Sequence, residues 1–169
     1  MSTIPQITSQ TKDATGRTIT VAISNPAGTN YPNSQITAKV DGQICTIATG
    51  TFTSFTCTLP ANSVRAGSYD VEVVVAGAGV VSVQTGVAKL FYDLVLTSLS
   101  SATGGDNGGY AVQINGAGFP SDVTQATITL CSKNALVTST SNTVTTIIVP
   151  ACLASGAQTI GYTFNGISK

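Results

Sequence analysis

The chain has no histidine and few charged residues. Charged side chains make up 8% of its 169 residues, and seven Lys plus Arg balance seven Asp plus Glu, whereas about a quarter is usual. Without an imidazole, neither a Ser-His-Asp triad nor a Cys-His pair can form, so we expect no enzyme. No run of basic residues is present to displace counterions from phosphates, so we also expect no nucleic-acid partner.

Helical periodicity and long apolar runs are missing as well. No stretch keeps apolar residues at i, i+3, i+4 and i+7, and none approaches the about twenty apolar residues of a membrane helix. The opening residues are polar, which predicts no signal peptide. We therefore expect no membrane insertion in this segment, and an excised or processed piece of a longer protein with Met1 as an added start.

Hydroxyl side chains and short alternating runs are what the chain has instead. It contains 27 Thr and 17 Ser, and β-branched Thr suits the solvent face of a strand. Alternating runs bounded by turn residues predict an all-β fold. In the first half, strands are predicted at 4–11, 17–24, 35–41, 43–49, 53–59 and 69–75, with a last strand ending at Tyr92. In the second half, they are predicted at 94–99, within 108–120, and at 124–131, 134–138, 143–149 and 157–164.

The two halves form an internal repeat. Residues 59–61 (Leu-Pro-Ala) match 149–151 (Val-Pro-Ala) at an offset of 90, and the alternating apolar residues of 71–75 match those of 160–164 at an offset of 89. The repeat predicts two tandem domains, residues 1–92 and 93–169.

Four cysteines occur without a Cys-x-x-Cys spacing. In a chain without histidine, they predict two disulfides and an oxidising compartment rather than a zinc site. Cys45 and Cys57 match apolar residues of the second copy at an offset of 90, which suggests that the two positions face each other and predicts a Cys45–Cys57 bond. Cys131 and Cys152 remain as the second pair. We expect no metal and no cofactor.

Several stretches carry a family resemblance. Residues 108–120, Gly-Gly-Tyr-Ala-Val-Gln-Ile-Asn-Gly-Ala-Gly-Phe-Pro, resemble the second-strand signature of IPT/TIG domains, the immunoglobulin-like domains of plexins, some transcription factors and many extracellular proteins. Residues 40–45, 55–60 and 91–92 match the family's valine-glycine-cysteine, cysteine-x-x-proline and closing aromatic elements. The first copy departs in having Asn-Pro-Ala-Gly at 25–28 in place of the glycine-rich turn, and the second departs in the placement of its cysteines.

The resemblance implies two tandem immunoglobulin-like β-sandwiches, which are typically structural or interaction modules. The end of the stretch 108–120 and the Leu130-Cys131 strand end are similar to copies in very large surface proteins of ciliates and in fibrocystin-like receptors.

Three places carry side chains that could act chemically. Asp70 and Glu72 lie two apart on one predicted strand, about 7 Å apart, a separation that glycosidases use, but a cross-strand pairing with Lys39 is the interpretation that we prefer. The glycine-rich loop 104–109 has one carboxylate and no following helix, so it predicts a turn rather than a calcium or phosphate site. Tyr31, at a predicted loop tip, is the candidate contact residue.

The second copy lacks most of its last predicted strand. Shifted by about 90, the closing strand of the first copy would fall near 170–182. We therefore expect an unpaired edge and a strand-acceptor groove beside Ile160, Tyr162 and Phe164. A continuing chain could supply the strand, or residues 2–11 of a neighbouring subunit could add to the edge and build a filament.

The sequence as a whole predicts a non-enzymatic extracellular or cell-surface module with a structural or adhesive role, whose partners are neighbouring domains or identical subunits. One alternative is a carbohydrate-binding accessory module of a secreted enzyme, with a glycan as partner and exposed aromatic side chains on one face. A dimerising nuclear domain is a third class, which the cysteines and the lack of a basic patch disfavour.

Overall fold

The chain divides into two units that are both built of β-strands. The structure, a computed structural model, describes residues 4–153 and 156–169. One unit comprises Met1–Ser63 and Ser68–Phe91, and the other comprises Val64–Gly67 and Tyr92–Lys169. The sequence predicts a boundary between residues 92 and 93, whereas the second unit begins one residue earlier and also takes in Val64–Gly67.

The strands of the first unit close into a barrel. The unit contains β1 (Gln6–Lys12), β2 (Thr18–Ser24), β3 (Ile36–Val40), β4 (Gln43–Thr51), β5 (Ser54–Thr58), β6 (Gly67–Tyr69), β7 (Glu72–Val75), β8 (Gly79–Val83) and β9 (Leu90–Tyr92). The hydrogen-bonded order is β1-β2-β5-β4-β3-β7-β8, and parallel pairing of β8 with β1 closes it. β6 pairs with β9 in a separate two-stranded sheet.

This closure differs from the open two-sheet sandwich that the sequence predicts for the first unit. β4 joins the two sheets, because residues 43–45 pair with β3 and residues 46–51 pair with β5. A bulge between Ile47 and Thr49 interrupts the second pairing, and bulges bend a strand and increase its twist. Alternation along a sequence shows which face a residue takes, but it does not show where a strand changes its neighbour.

The inward faces predicted for the first unit are confirmed as its core. Ile19, Val21 and Ile23 on β2 are 0%, 0% and 4% exposed, whereas Thr18 and Thr20 face solvent. Burying each such aliphatic side chain contributes about 1.5–3 kcal/mol. A disulfide joins Cys45 of β4 to Cys57 of β5 within this core, with a Cα–Cα distance of 5.3 Å.

The second unit has two four-stranded sheets. Its strands are β10 (Val95–Leu99), β11 (Ala111–Ala117), β12 (Thr127–Leu130), β13 (Lys133–Asn134), β14 (Leu136–Thr140), β15 (Val144–Ile148), β16 (Ile160–Phe164) and β17 (Ile167–Ser168). The sheet orders are β10-β11-β15-β14 and β13-β12-β16-β17. A disulfide joins Cys131, just after β12, to Cys152, with a Cα–Cα distance of 5.5 Å.

One predicted strand of the second unit begins later than expected. Residues 124–131 are predicted as a strand, but Val123–Gln125 form a 3-10 helix and β12 starts at Thr127. The Asp122 side chain accepts hydrogen bonds from the backbone N–H and the hydroxyl of Thr124, at 2.9 and 2.8 Å. Such local side-chain bonds hold a turn in competition with an extended strand.

The core of the second unit is built around Tyr162. Its ring stacks on Phe119 with centroids 4.9 Å apart, and both side chains are fully buried. Ala66, from the segment 64–67, is also fully buried in this core. Its N–H donates to Gly118 O at 2.9 Å, and its carbonyl accepts from the Asn165 amide at 3.2 Å.

Gly118 permits this close approach of the segment 64–67. Its φ is +80°, and a Cβ there would lie 2.8 Å from Asp93 O and 3.2 Å from Ala66 N. A glycine is therefore needed both for the backbone angle and for the space.

Candidate strand-acceptor site

The predicted acceptor residues lie on β16, which has a neighbour on each side over only part of its length. β12 pairs with β16 along one side, and β17 pairs with it on the other. On that second side Phe164 pairs with Ile167, and Tyr162 and Lys169 exchange two backbone hydrogen bonds of 2.9 Å each. Tyr162 and Phe164 are 0% and 7% exposed. The open part of the edge is therefore narrower than the sequence predicts and is confined to the end at Ile160.

The backbone of Ile160 faces the open part of this edge. In an antiparallel strand, the N–H and C=O groups of alternate residues point to the same side, so those of Ile160 point the same way as those of Tyr162. No strand in the described parts of the chain pairs with Ile160 on that side. An unpaired edge of this kind is a template for an added strand.

A cavity of about 310 Å³ lies beside Ile160. Its lining combines apolar side chains with polar ones. The apolar residues include Leu99, Tyr110, Leu130, Ile147 and Ile160, and the polar residues include Ser101, Thr103, Asp106 and Gln158. Leu130 and Ile147 belong to the buried core, 9% and 0% exposed, so the cavity reaches into the interior of the second unit. The volume is at the lower end of the range of about 300–1,000 Å³ for small-molecule pockets.

β10 borders the same space with an uncovered edge. It pairs with β11 on one side, and no strand among the described residues pairs with its other side. Val95 and Leu99 on β10 are 43% and 38% exposed, and Leu96 is half-buried. We call the space between β10 and the Ile160 end of β16, with the cavity, the acceptor groove.

β1 of the first unit shows what a covered edge looks like. β1 and β10 match at an offset of 89, because their bulges fall at Ile7/Ser9 and Leu96/Ser98. β8 pairs with β1 through Ser82 and Val83, and Ile7 is 0% exposed. The matching Leu96 stays half-buried.

The register of the hairpin β16–β17 can be compared with that of the hairpin β7–β8 in the first unit. Val73 pairs with Val81 in the first unit, as Tyr162 pairs with Lys169 in the second. Lys169 therefore takes the place of Val81. In the first unit, the following Ser82 and Val83 pair with β1.

Gln10 completes the closure of the first unit. It is 5% exposed, its Nε2 donates to Ala88 O at 3.0 Å, and its Oε1 accepts from the Val71 N–H at 2.8 Å. The segment after β8 is thereby held on β1. At the offset of 89, Gln10 and Val71 match Leu99 and Ile160, which both line the cavity of the second unit.

The partners of Asp70 differ from the pairing with Lys39 that the sequence predicts. It is bound by Gln10 Nε2 at 2.8 Å and by Lys89 Nζ at 3.2 Å, not by Lys39. Lys39 instead lies opposite Glu72 in the register of β3 and β7. Asp70 precedes β7 and leaves its alternation, so the two acids have different surroundings.

An ion pair fastens the end of β17. Lys169 Nζ lies 2.7 Å from Asp93 Oδ2, with both side chains more than 40% exposed. The hydrogen bond from Lys169 is the largest cause that lowers the pKa of Asp93 below its ordinary value, and the Leu94 N–H adds to it. The pair holds Lys169 against the start of the second unit.

The N-terminal segment has a partner within its own chain. The sequence offers residues 2–11 as a donor strand, but Gln6–Lys12 form β1, which pairs with both β2 and β8. Donation of this segment to another subunit would expose Ile7 and Gln10 and open the barrel. The donor proposed from the sequence is therefore corrected.

The other candidate residues have packing roles in the structure. Tyr31 is half-buried and meets the buried Phe52 edge-on, with ring centroids 4.9 Å apart. In the loop 104–109, Asp106 O accepts from the Cys152 N–H at 2.7 Å.

Within residues 4–153 and 156–169, no three His, Cys, Asp or Glu side chains form a group that could hold a metal ion. No helix in those ranges is long and apolar enough to cross a membrane.

Comparisons with known proteins support the fold class. No family model and no curated protein matches the sequence. A surface glycan-binding protein of Prevotella bryantii matches with a TM-score of 0.56 and 15% identity, over 99% of this chain and 41% of that one. The extracellular region of plexin A4 matches with a TM-score of 0.43 and 17% identity, over 98% of this chain and 17% of that one. A Bacteroides ovatus surface glycan-binding protein matches with a TM-score of 0.34 and 14% identity, over 95% and 43%.

At sequence identities this low, the likeness shows the fold alone. The comparison with the Prevotella bryantii protein, with a TM-score of 0.56, is the one that supports the fold. The chain spans less than half the length of each of these proteins. The chain is an all-β protein, and the solved structures that match it include extracellular receptor domains and surface glycan-binding proteins.

Proposed function

We propose that the chain is a non-enzymatic extracellular structural module of two tandem immunoglobulin-like units of the IPT/TIG type, whose second unit accepts a β-strand in the acceptor groove. The observation that carries the proposal is that Ile160 of β16 and Leu99 of β10 line one cavity, and that neither strand is paired there on its outer side by a strand of the described residues. Strand addition uses main-chain hydrogen bonds for affinity and side-chain pockets for specificity.

The first unit supports this assignment because its matching strands are paired. β1 and β7 match β10 and β16, and β8 pairs with both β1 and β7. At the matching place of the second unit, no strand among the described residues pairs with Ile160 on its open side or with the outer edge of β10, so these edges are templates for an added strand. A strand added there would complete the sheet. It would also attach the second unit to the polypeptide to which the added strand belongs.

The composition and the disulfides support a location outside the cell or on its surface. Both bonds persist in oxidising compartments, and a surface of Thr and Ser solvates the module without charge. The partners that we propose are neighbouring domains or other subunits of an extracellular assembly.

The test uses a peptide with the sequence of residues 82–92, Ser-Val-Gln-Thr-Gly-Val-Ala-Lys-Leu-Phe-Tyr. Added to the intact oxidised chain, it should slow amide hydrogen exchange at residues 95–99 and at Ile160. The control peptide has proline in place of its glutamine, because in the first unit the N–H of Gln84 donates to Ile7 O at 2.9 Å.

Protection of the second unit by the first peptide, and loss of it with the proline peptide, is the expected result. Equal protection by both peptides, or none at millimolar peptide, would refute strand acceptance.

A glycan is the second partner that we propose, bound at Tyr31. The fold likeness to a surface glycan-binding protein supports it, and Tyr31 lies in a loop where its side chain is only partly buried. The edge-on contact with Phe52 argues against a wide stacking platform. A glycan array with the chain and its Tyr31→Ala variant tests the idea, and binding that the variant retains would contradict it.

A further inference from the structure

We infer that the Cys131–Cys152 disulfide is a reducible cross-link that serves as a redox switch in the second unit, whereas Cys45–Cys57 is a permanent bond of the first unit. A dithiol that reaches the Cys131 sulfur breaks the bond and releases the segment 150–152 from the hairpin β12–β13. Three observations carry the inference: the burial of the two bonds, the backbone of the hairpin turn and a neighbouring ammonium group.

The two disulfides differ in how deeply their cysteines are buried. Cys45 and Cys57 lie in the core of the first unit, 2% and 0% exposed. Cys131 and Cys152 are only partly buried, and Cys131 lies at the tip of the hairpin β12–β13. Thiol–disulfide exchange requires that an attacking thiolate reach a sulfur atom. The folded chain therefore presents one bond to a reductant and shields the other.

The turn that carries Cys131 has a backbone conformation that its residues do not favour. Cys131 and Ser132 form the two-residue loop between β12 and β13, with φ of +55° and +61°. Two-residue loops with positive φ at both positions favour Asn-Gly or Asp-Gly, and left-handed backbone is unfavourable for most other L-residues. The matching turn of the first unit has the favoured pair, Asp41 and Gly42. Breaking the bond to Cys152 removes a restraint on the Cys131 turn and lets its backbone relax.

A lysine beside the bond favours its cleavage. Lys133 Nζ donates to Ala151 O at 2.7 Å, which places an ammonium group at the residue before Cys152. A neighbouring cation stabilises a thiolate, and a sulfur that is released as a more stable thiolate leaves faster. The match of Lys133 in the first unit is the uncharged Gln43. Cys152 is therefore the leaving sulfur, and Cys131 is the sulfur that is attacked.

The switch is a two-electron exchange with a dithiol. One thiolate of the dithiol attacks Cys131 Sγ and forms a mixed disulfide, while Cys152 Sγ leaves with the electron pair of the broken bond and takes a proton from water. The second thiolate of the dithiol then attacks the reductant sulfur of the mixed disulfide and releases Cys131, which is protonated in turn. The chain gains two thiols, and the dithiol is oxidised to a disulfide.

The structural consequence is local. After reduction, the segment 150–152 keeps the hydrogen bond from the Cys152 N–H to Asp106 O, which is 2.7 Å long in the oxidised chain, but loses its covalent link to the hairpin. The Cys152 amide should then exchange about tenfold faster or more, because local opening becomes easier. The amide of Tyr162, whose side chain is fully buried in the core, should keep its protection.

Alkylation during graded reduction tests the switch. The intact oxidised chain is incubated with dithiothreitol in the absence of denaturant, free thiols are alkylated at intervals, and peptide mapping follows each cysteine. Cys131 and Cys152 should be modified about tenfold sooner or more than Cys45 and Cys57. Equal rates for the two pairs, or modification of Cys131 and Cys152 only after denaturation, would overturn the inference.

Two variants test the causes separately. Lys133→Gln should slow reduction of the second disulfide about threefold or more, whereas the matched Lys39→Gln on β3 of the first unit should leave the rate unchanged. Ser132→Gly removes the unfavourable φ at one position of the turn, so more reductant should be needed to reach half reduction.

Two outcomes would count against the switch in these variants and in the reduced chain. Equal slowing by Lys133→Gln and Lys39→Gln would refute the role of the ammonium group. Loss of protection at Tyr162 on reduction would show that the bond is required for the fold of the second unit, and would overturn the switch.

Discussion

A buried chain of hydroxyl groups makes the second unit testable by mutation. Tyr162 OH lies 2.9 Å from Thr145 Oγ1, which lies 2.9 Å from Thr140 Oγ1, and Thr140 donates to Pro120 O at 2.9 Å. Each hydroxyl has one hydrogen. Because Thr140 gives its hydrogen to Pro120, Thr145 must donate to Thr140, and Tyr162 must donate to Thr145.

This direction sets unequal costs for two substitutions. Tyr162→Phe removes the terminal donor and leaves Thr145 still donating to Thr140, so the loss is one net hydrogen bond, about 1 kcal/mol. Thr145→Val keeps the shape but removes the Thr145 acceptor of the fully buried Tyr162 hydroxyl and leaves Thr140, which already donates to Pro120 O, as its other neighbouring hydroxyl; the cost should be about 2 kcal/mol.

The double variant is the decisive measurement. With phenylalanine at Tyr162, no donor is left unsatisfied, so the double variant should be no less stable than Thr145→Val alone. The coupling between the sites should then be about 1 kcal/mol. For a unit of this size, 1 kcal/mol corresponds to a Tm shift of about 4–8 °C, which calorimetry of the oxidised chain resolves. Costs that add within about 0.3 kcal/mol would refute the assigned direction.

The same tyrosine predicts a pH dependence at the alkaline end. Burial, as the largest cause, raises the pKa of the Tyr162 phenol above its ordinary value of 10.0. The phenol is neutral when protonated, so its contribution to stability is fully present below the unfolded pKa and is lost as pH rises through the folded pKa. Tyr162→Phe should remove this alkaline loss, and an unchanged alkaline transition in the variant would contradict the burial argument.

Three further predictions concern other parts of the chain. Gly118→Ala should lower the free energy of unfolding by about 2–4 kcal/mol, because the φ of +80° and the 2.8 Å approach to Asp93 O both oppose a Cβ. Gly28→Ala, with φ +68° and open space, should lower it by about 1 kcal/mol. Equal Tm shifts would refute the steric argument. The depressed pKa of Asp93 means that its ion pair stabilises β17 above the unfolded pKa of about 3.9 and that this contribution is lost as pH falls through the lower folded value. The protection of the Tyr162 amide, relative to its intrinsic exchange rate, should therefore fall below about pH 4, and Asp93→Asn should lack that step. Replacing Cys45 and Cys57 together by alanine should lower stability by about 3 kcal/mol, since the bond closes a loop with a sequence separation of 12; an unchanged Tm would contradict this.

Much of the fold can be read from the sequence because period-2 alternation reports burial directly. The inward faces at Ile19, Val21 and Ile23 follow from that pattern, as does the inward placement of Tyr162 and Phe164. Strand ends shift by one or two residues, as between the predicted 17–24 and the observed Thr18–Ser24. Where a side chain competes for backbone bonds, as Asp122 does, the pattern fails.

The sequence by itself determined the all-β class, the absence of histidine and the internal repeat, because each depends on residue type and spacing. Tertiary structure alone decided how the first unit closes, that Ala66 belongs to the core of the second unit, and that β17 narrows the open edge to Ile160. These features depend on which strands meet in space. Pairing partners are chosen by bulges, close glycine contacts and hydrogen bonds such as those of Gln10, and none of these leaves a periodic signal in the chain.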